Sequence, residues 1–245
     1  RIFLTITLPW YAYKRLFFLL GSNPGKGIQA HEKVLVQAIT GLLLGYWIVF
    51  LTGWSDPTLI WIPLIGGFHL GLLMIPFVIF TVISMANAVN LSDGMDGLAA
   101  GLLLISFGGF LAISIMKQDT HNTILITSII GSLITYLYFN APPARFQMGD
   151  VGSLSLGTIL AAVAFSLEVP FLLLIIGFPF VAEVGSSLLQ GMARRILGRR
   201  IFAMAPLHHH LEVKGWNEEK VVIRFWIFGM VCAVFGVWMY AVFGL

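Results

Sequence analysis

Residues 87–116 read NAVNLSDGMDGLAAGLLLISFGGFLAISIM, and the two parts of that stretch obey different rules. From Gly97 to Met116 there is no charged side chain, over about 20 residues, the length a helix needs to cross the hydrocarbon core of a bilayer. From Asn87 to Asp96, polar side chains recur at every third position: Asn87, Asn90, Asp93 and Asp96. Apolar runs like 97–116 return at 34–53, 70–89, 122–140, 153–168, 170–192 and 221–243, so the sequence predicts seven spans. These runs are continuously apolar rather than alternating, which argues against a membrane β-barrel. The predicted fold is all-α: a polytopic transmembrane helical bundle with at least seven spans and a cytoplasmic-face polar cleft.

Composition and charge agree. Of 245 residues 58% are hydrophobic and only 10% charged, which excludes an ordinary soluble domain. Lys14, Arg15, Lys26 and Lys33 precede the first span. Alternation from there places the loops near 90–96, 141–152 and 193–220 on the same side, with Arg145, Arg194, Arg195, Arg199, Arg200, Lys214 and Lys220. The opposite loops, 54–69, 117–121 and 167–169, carry only Lys117. The positive-inside bias makes the first side cytoplasmic, and every polar cluster lands there. The pI near 9 thus reflects membrane anchoring, and no nucleic-acid partner is expected. The single Cys232 permits no disulfide within the chain.

WSDPTLIWIPLIGGFH, residues 54–69, is apolar but too short to span, and predicts an external hairpin or re-entrant element. ARRILGRRIF, 193–202, predicts a short amphipathic helix with its basic residues towards lipid headgroups. One integral membrane domain covers residues 1–245, without repeats or linkers. The chain begins at Arg1 with an apolar segment and shows no signal-peptide pattern. It reads as a fragment lacking its true N-terminus.

Three segments can carry chemistry. In the first, Asn90–Asp93 or Asp93–Asp96 share a helix face, and Gly94 and Gly97 loosen the helix at its cytoplasmic mouth. The plainer reading is a capped turn, with Asp96 capping the next helix. Four such residues beside two spans favour function. The second is FNAPPARFQMGDVGSLSLG, 139–157, where Asp150 either caps the following helix or ligates Mg²⁺, a hard cation that takes carboxylates, phosphates and water. Asp93, Asp96 and Asp150 are the only aspartates on the cytoplasmic face. Together they suggest a diphosphate–metal site. The third is MAPLHHHLEVKGW, 204–216. Successive helical side chains turn by about 100°, so His208, His209 and His210 cannot all face one metal from a helix. Phosphate or carboxylate contacts suit them better. Glu183 and Gln190 lie seven apart within an apolar run and are functional candidates on that ground, or bond a neighbouring helix.

In this order, these segments resemble the phospho-N-acetylmuramoyl-pentapeptide-transferases over residues 26–245. NAVNLSDGMDGLA, FNAPPARFQMGDVGSLSLG, RIFAMAPLHHHLEVKGW and VVIRFW carry the resemblance. The first two are shared with the wider polyprenyl-phosphate sugar-1-phosphate transferases, while APLHHHLEVKGW points to the muramoyl-pentapeptide branch. The resemblance implies transfer from UDP-N-acetylmuramoyl-pentapeptide to undecaprenyl phosphate, with UMP leaving, at a cytoplasm-facing site of the bacterial inner membrane. It implies Mg²⁺ on Asp150 and a catalytic set of Asp93, Asp150, His208 and His209. It further implies substrate contacts from Asn90, Gly94, Asp96, Asn140, Phe146, Gln190 and His210. The bilayer and a second copy of the chain complete the expected partners.

The chain departs from the family pattern at two places. Gln147 stands where the family has an aromatic residue implied to stack on uracil, with Phe146 beside it as a substitute. YAYKR, residues 11–15, stands where an adjacent aspartate pair, DDYxK, is expected. Residues 1–245 by themselves are therefore expected to have negligible transferase activity. Other readings are a secondary transporter, a different N-acetylhexosamine-1-phosphate transferase and a catalytically dead remnant. An intramembrane aspartyl protease lacks support, because Gln147 occupies the first glycine of GxGD.

Overall fold

Glu32 and Gln29 begin the first helix with reciprocal side-chain and backbone bonds, a capping box. In the computed structural model, which describes residues 29–243 apart from 55, 63 and 64, that helix is α1, Ala30–Leu51. A short antiparallel hairpin follows, β1 Leu59–Ile62 and β2 Gly66–His69, with Leu59 opposite His69 and Ile62 opposite Gly66. The helices continue as α2 Met74–Ser92, α3 Leu98–Met116, α4 Thr120–Asn140 and α5 Gly149–Ser166. Then come α6 Leu172–Ile176, α7 Phe178–Ile196, α8 Leu207–Val213 and α9 Glu218–Phe243. The YAYKR stretch lies outside the described residues.

Six of these helices are long and apolar enough to cross a membrane: α1 to α5, with α2 extended back to Gly71, and α9. The apolar run expected at 170–192 is instead broken at Gly177. Pro179 lacks a backbone N–H and fits only the first turn of a helix, where that group has no partner. The helix that restarts there carries Glu183, Gln190, Arg194 and Arg195 and falls short of a spanning composition. Other expected ends differ from the observed ones by a few residues in either direction, because capping rather than hydropathy decides where a helix stops.

Two expectations need correction. The hairpin is a genuine pair of strands, so the fold is mainly rather than purely α-helical. The amphipathic helix expected around 193–202 is absent: Arg194 and Arg195 end α7, and residues 197–206 are irregular, with the helical turn coming later at α8.

Lipid offers no hydrogen bonds, so hydroxyls inside apolar helices must find partners locally. Thr81, Ser128, Ser132 and Thr158 each donate to the carbonyl four residues earlier. The core centres on α3, whose Leu98, Leu103, Phe107, Phe110 and Ile113 are completely buried. It packs between α4 and α9, while α2 packs against α1, α5 and α7. Outward-facing Phe80, Tyr138 and Val234 are exposed apolar surface of the kind that lipid covers.

One glycine sets the spacing that the site depends on. A Cβ on Gly157 of α5 would lie 2.7 Å from both Ala86 Cα and Met85 O of α2, which is backbone that cannot yield like a side chain. Gly157→Val is therefore expected to push α5 off α2 and destabilise the protein by about 1–3 kcal/mol. Thermal unfolding in detergent would read this, and an unchanged midpoint would mean the helices tolerate separation.

Candidate active site

Helix α2 ends where its apolar run does, and Asp93 closes it. The chain turns through residues 93–97 and re-enters helix at Leu98 after Gly97, whose φ of +77° suits glycine. Neither aspartate caps α3: its N-cap is Gly97, with no side-chain bond. Asp96 instead accepts from the Ala144 N–H at 2.8 Å, and its own N–H donates to Glu218 at 2.8 Å. It ties the 93–97 turn to the 141–148 loop and to the start of α9.

Asp150 lies in the first turn of α5 and caps nothing through its side chain. Its carboxylate is half exposed and takes hydrogen bonds from Lys33 of α1 and Asn90 of α2, the latter at 2.9 Å. Asn90 uses its second amide hydrogen on Ser153, at 2.8 Å. Asp93 stands beside this group, accepting from the Gly149 N–H. Burial, with the nearby Asp150 charge adding to it and the Gly149 bond opposing, raises its pKa from 3.8 to about 6. The Asp150 charge thus adds to the burial that disfavours a charged Asp93, while the hydrogen bonds from Lys33 and Asn90 hold the Asp150 carboxyl below the usual range.

Between pH 3.8 and 6 the folded state holds a proton on Asp93 that the unfolded chain has released. This group's contribution to stability therefore falls as pH rises through that window. Melting of the metal-free protein from pH 4 to 7 should show a downward slope that Asp93→Asn removes and added Mg²⁺ reduces. An identical slope in the variant would contradict the placement of Asp93.

The three histidines occupy α8 and point to different partners, as helical spacing requires. His208 is completely buried, with Nδ1 2.9 Å from Glu183 of α7. His209 meets Glu212 at 2.9 Å. His210 accepts from the Ala203 N–H at 3.1 Å. Gly94 is where α8 approaches the first turn: a Cβ there would lie 2.7 Å from His208 Nε2 and 3.6 Å from His209 Nε2. Gln190 accepts from the N–H groups of Ile201 and Phe202 and donates to the Phe202 carbonyl, fixing the loop before α8. Asn140 is buried and accepts from the Gly97 N–H while donating to the Phe146 carbonyl, both at 3.1 Å. The Phe146 ring is half exposed and packs edge-on against Tyr136, centroids 5.3 Å apart.

Asn90, Asp93, Gly94, Asp150, His208 and His209 therefore meet around the end of α2. Asn140, Gln190 and Asp96 pin the surrounding loops. Asn87, the first of the every-third series, turns away to Gln37 of α1 at 2.8 Å. Lys33, Ser153 and Glu218 join the cluster without having been expected there. The sequence marks Lys33 only as one of the cations on the polar face. Ser153 and Glu218 gave no signal in the sequence.

The carboxylates suit a magnesium ion. Among the described residues no three His, Cys, Asp or Glu side chains converge as an all-protein cage. Mg²⁺ commonly takes one or two carboxylates and completes its shell with phosphate and water. Asp93, pushed towards protonation beside Asp150, has the electrostatics of a pair that a cation would relieve.

The sequence pattern of glycosyl transferase family 4 matches residues 20–168. Curated relatives named phospho-N-acetylmuramoyl-pentapeptide-transferase are similar over most of the chain. That of Levilactobacillus brevis is 41% identical over 214 residues, covering 87% of this chain and 65% of its own length. That of Enterococcus faecalis is 37% identical over 240 residues, covering 97% and 73%. That of Leptospira biflexa is 37% identical over 235 residues, covering 85% and 64%. The chain thus spans 64 to 73% of the length of these relatives.

Proposed function

Because the chain belongs to glycosyl transferase family 4, and within it to the phospho-N-acetylmuramoyl-pentapeptide-transferases, we propose that it makes lipid I for peptidoglycan. A phosphate oxygen of undecaprenyl phosphate attacks the sugar-side phosphorus of UDP-N-acetylmuramoyl-pentapeptide. The bond from that phosphorus to the UMP oxygen breaks, and UMP leaves with the electron pair. The observation that carries the reading is the meeting of Asp93 and Asp150, from the ends of α2 and α5, with Lys33, Asn90 and the histidine helix.

Such a transfer needs charge neutralisation and in-line placement more than covalent help. Asp150, with Asp93, would hold Mg²⁺, which supplies positive charge to the diphosphate. Lys33 and Asn90 keep the Asp150 carboxylate oriented. Gly94 leaves room for the histidines at the turn, and the half-exposed Phe146 ring offers a face to uracil. A second phosphate pKa near about 6 leaves the acceptor largely ionised at neutral pH. It therefore needs little help from a base.

UMP release that requires both the donor and undecaprenyl phosphate tests this reading. It should be measured on the chain itself and on the chain carrying a family N-terminal segment, with its aspartate pair, in place of residues 1–22. Release from the chain carrying the family segment only with the acceptor present is expected. Release that ignores the acceptor would indicate a hydrolase instead.

In this reading α6 and α7 together make a seventh crossing and the cleft faces the cytoplasm. The charge bias supports that orientation. Single cysteines at Leu91 (beside the buried Ser92), Arg145 and His209, in a Cys232→Ser background, should react only with reagent on the cytoplasmic side, and one at Asp56 only from outside. Split reactivity among the first three would break the single-site account.

A further inference from the structure

The proposed transfer gives Glu183 no role, and it places His208 at the site without saying what holds its ring. Both are completely buried. The Glu183 carboxylate takes two donors from one residue: the His208 ring nitrogen Nδ1 at 2.9 Å, and the His208 backbone N–H at 3.2 Å to Oε1. A carboxylate shut away from water keeps its charge only when donors or a cation meet it. That requirement decides the tautomer, because Nδ1 must carry a hydrogen to donate.

The other ring nitrogen has the opposite situation. His208 Nε2 is buried and has no hydrogen-bond partner among the described residues. It faces the 93–97 turn, next to Gly94. A buried polar atom left unpaired is costly, and native proteins keep such atoms where something else completes them. The charged groups around the ring are Glu183 behind it, His209 with its ring centroid 4.2 Å away, and Asp93 in the turn that it faces.

We propose that Glu183 is a positioning residue for phosphate recognition. By accepting the Nδ1 hydrogen it locks the His208 ring with Nε2 towards the turn. When the nucleotide diphosphate binds, Nε2 takes up a proton and donates a hydrogen bond to a phosphate oxygen, with the Glu183 carboxylate meeting the ring from the other side. That proton is taken up from solvent on binding and stays on the ring, so the new N–H bond at Nε2 is the one covalent change. This inference rests on the reading that the 93–97 turn faces the donor's diphosphate.

UDP with Mg²⁺ is the probe, added to the full chain in lipid nanodiscs with ¹⁵N-labelled histidine. In the wild type, His208 Nδ1 should be protonated before UDP is added and both ring nitrogens afterwards. Glu183→Gln keeps the shape and an acceptor but removes the charge. It should weaken UDP binding about tenfold, the scale of one charge-assisted hydrogen bond, and shift the loss of binding at high pH to lower pH. His208→Gln should weaken binding similarly, and the double variant should bind no worse than His208→Gln alone. An unprotonated Nδ1 in the wild type would overturn the proposal whether or not the variants fold. So would additive losses, or an unchanged pH profile in a folded Glu183→Gln protein. Failure of the functional reading looks different: the wild type binds no UDP although Nδ1 is protonated.

Discussion

Asparagine in place of Asp150 is expected to lower the rate of UMP release by about 10³-fold in an active chain, the scale of losing a group that stabilises transition-state charge. The side chain is half exposed, and its partners Lys33 and Asn90 approach from α1 and α2. An exposed ion pair of this kind contributes little to folding, so the melting temperature should move by no more than a few degrees. Removing the carboxylate also frees Lys33 to meet the donor's phosphates. The Michaelis constant for the donor should therefore stay level or fall while kcat collapses. Steady-state rates over a Mg²⁺ series would separate the two quantities. Unchanged activity with unchanged metal dependence would remove Asp150 from the site.

Valine at position 94 should be nearly as damaging, for a steric reason. Its Cβ would sit 2.7 Å from His208 Nε2 and 3.3 Å from Cε1. His208 cannot retreat, since it is enclosed on all sides and tethered to Glu183. The 93–97 turn has to move instead, taking Asp93 with it. A displacement of this order at a reacting centre costs about 10²-fold in rate. Gly94→Ala should act in the same direction with a smaller loss. Combining it with His208→Ala should recover the melting temperature without recovering turnover. A Gly94→Val protein with wild-type rates would show that the turn and the histidine helix are not mutually constrained.

How much of this was legible in the sequence depends on which forces set each feature. The six described helices long and apolar enough to span a membrane follow from apolar runs of bilayer length, a signal that no tertiary contact has to supply. The break within 170–192 was not legible, because hydropathy averages over Gly177 and Pro179, whereas backbone geometry does not. Spacing placed Asn90 and Asp93 on one face, yet the same spacing turned Asn87 towards Gln37, because a step of three drifts around a helix of 3.6 residues per turn. Lys33 and Asp150 are 117 residues apart in the chain and meet only through the packing of α1 and α5 around α2. The positions of the histidines followed from helix geometry once α8 was known to be a helix, and 204–216 contains no local signal that decides it.

Formation of a labelled lipid from UDP-N-acetylmuramoyl-pentapeptide radiolabelled in its peptide tests the central claim most directly. The chain carrying the family N-terminal segment, reconstituted with undecaprenyl phosphate, should move label into the lipid extract with Mg²⁺ present. It should stop on chelation and resume when Mg²⁺ is restored. Asp150→Asn should leave the label in water under every condition. Label that stays in the aqueous phase with that chain, its Asp150 intact, and excess Mg²⁺, while the protein remains folded, would contradict the account.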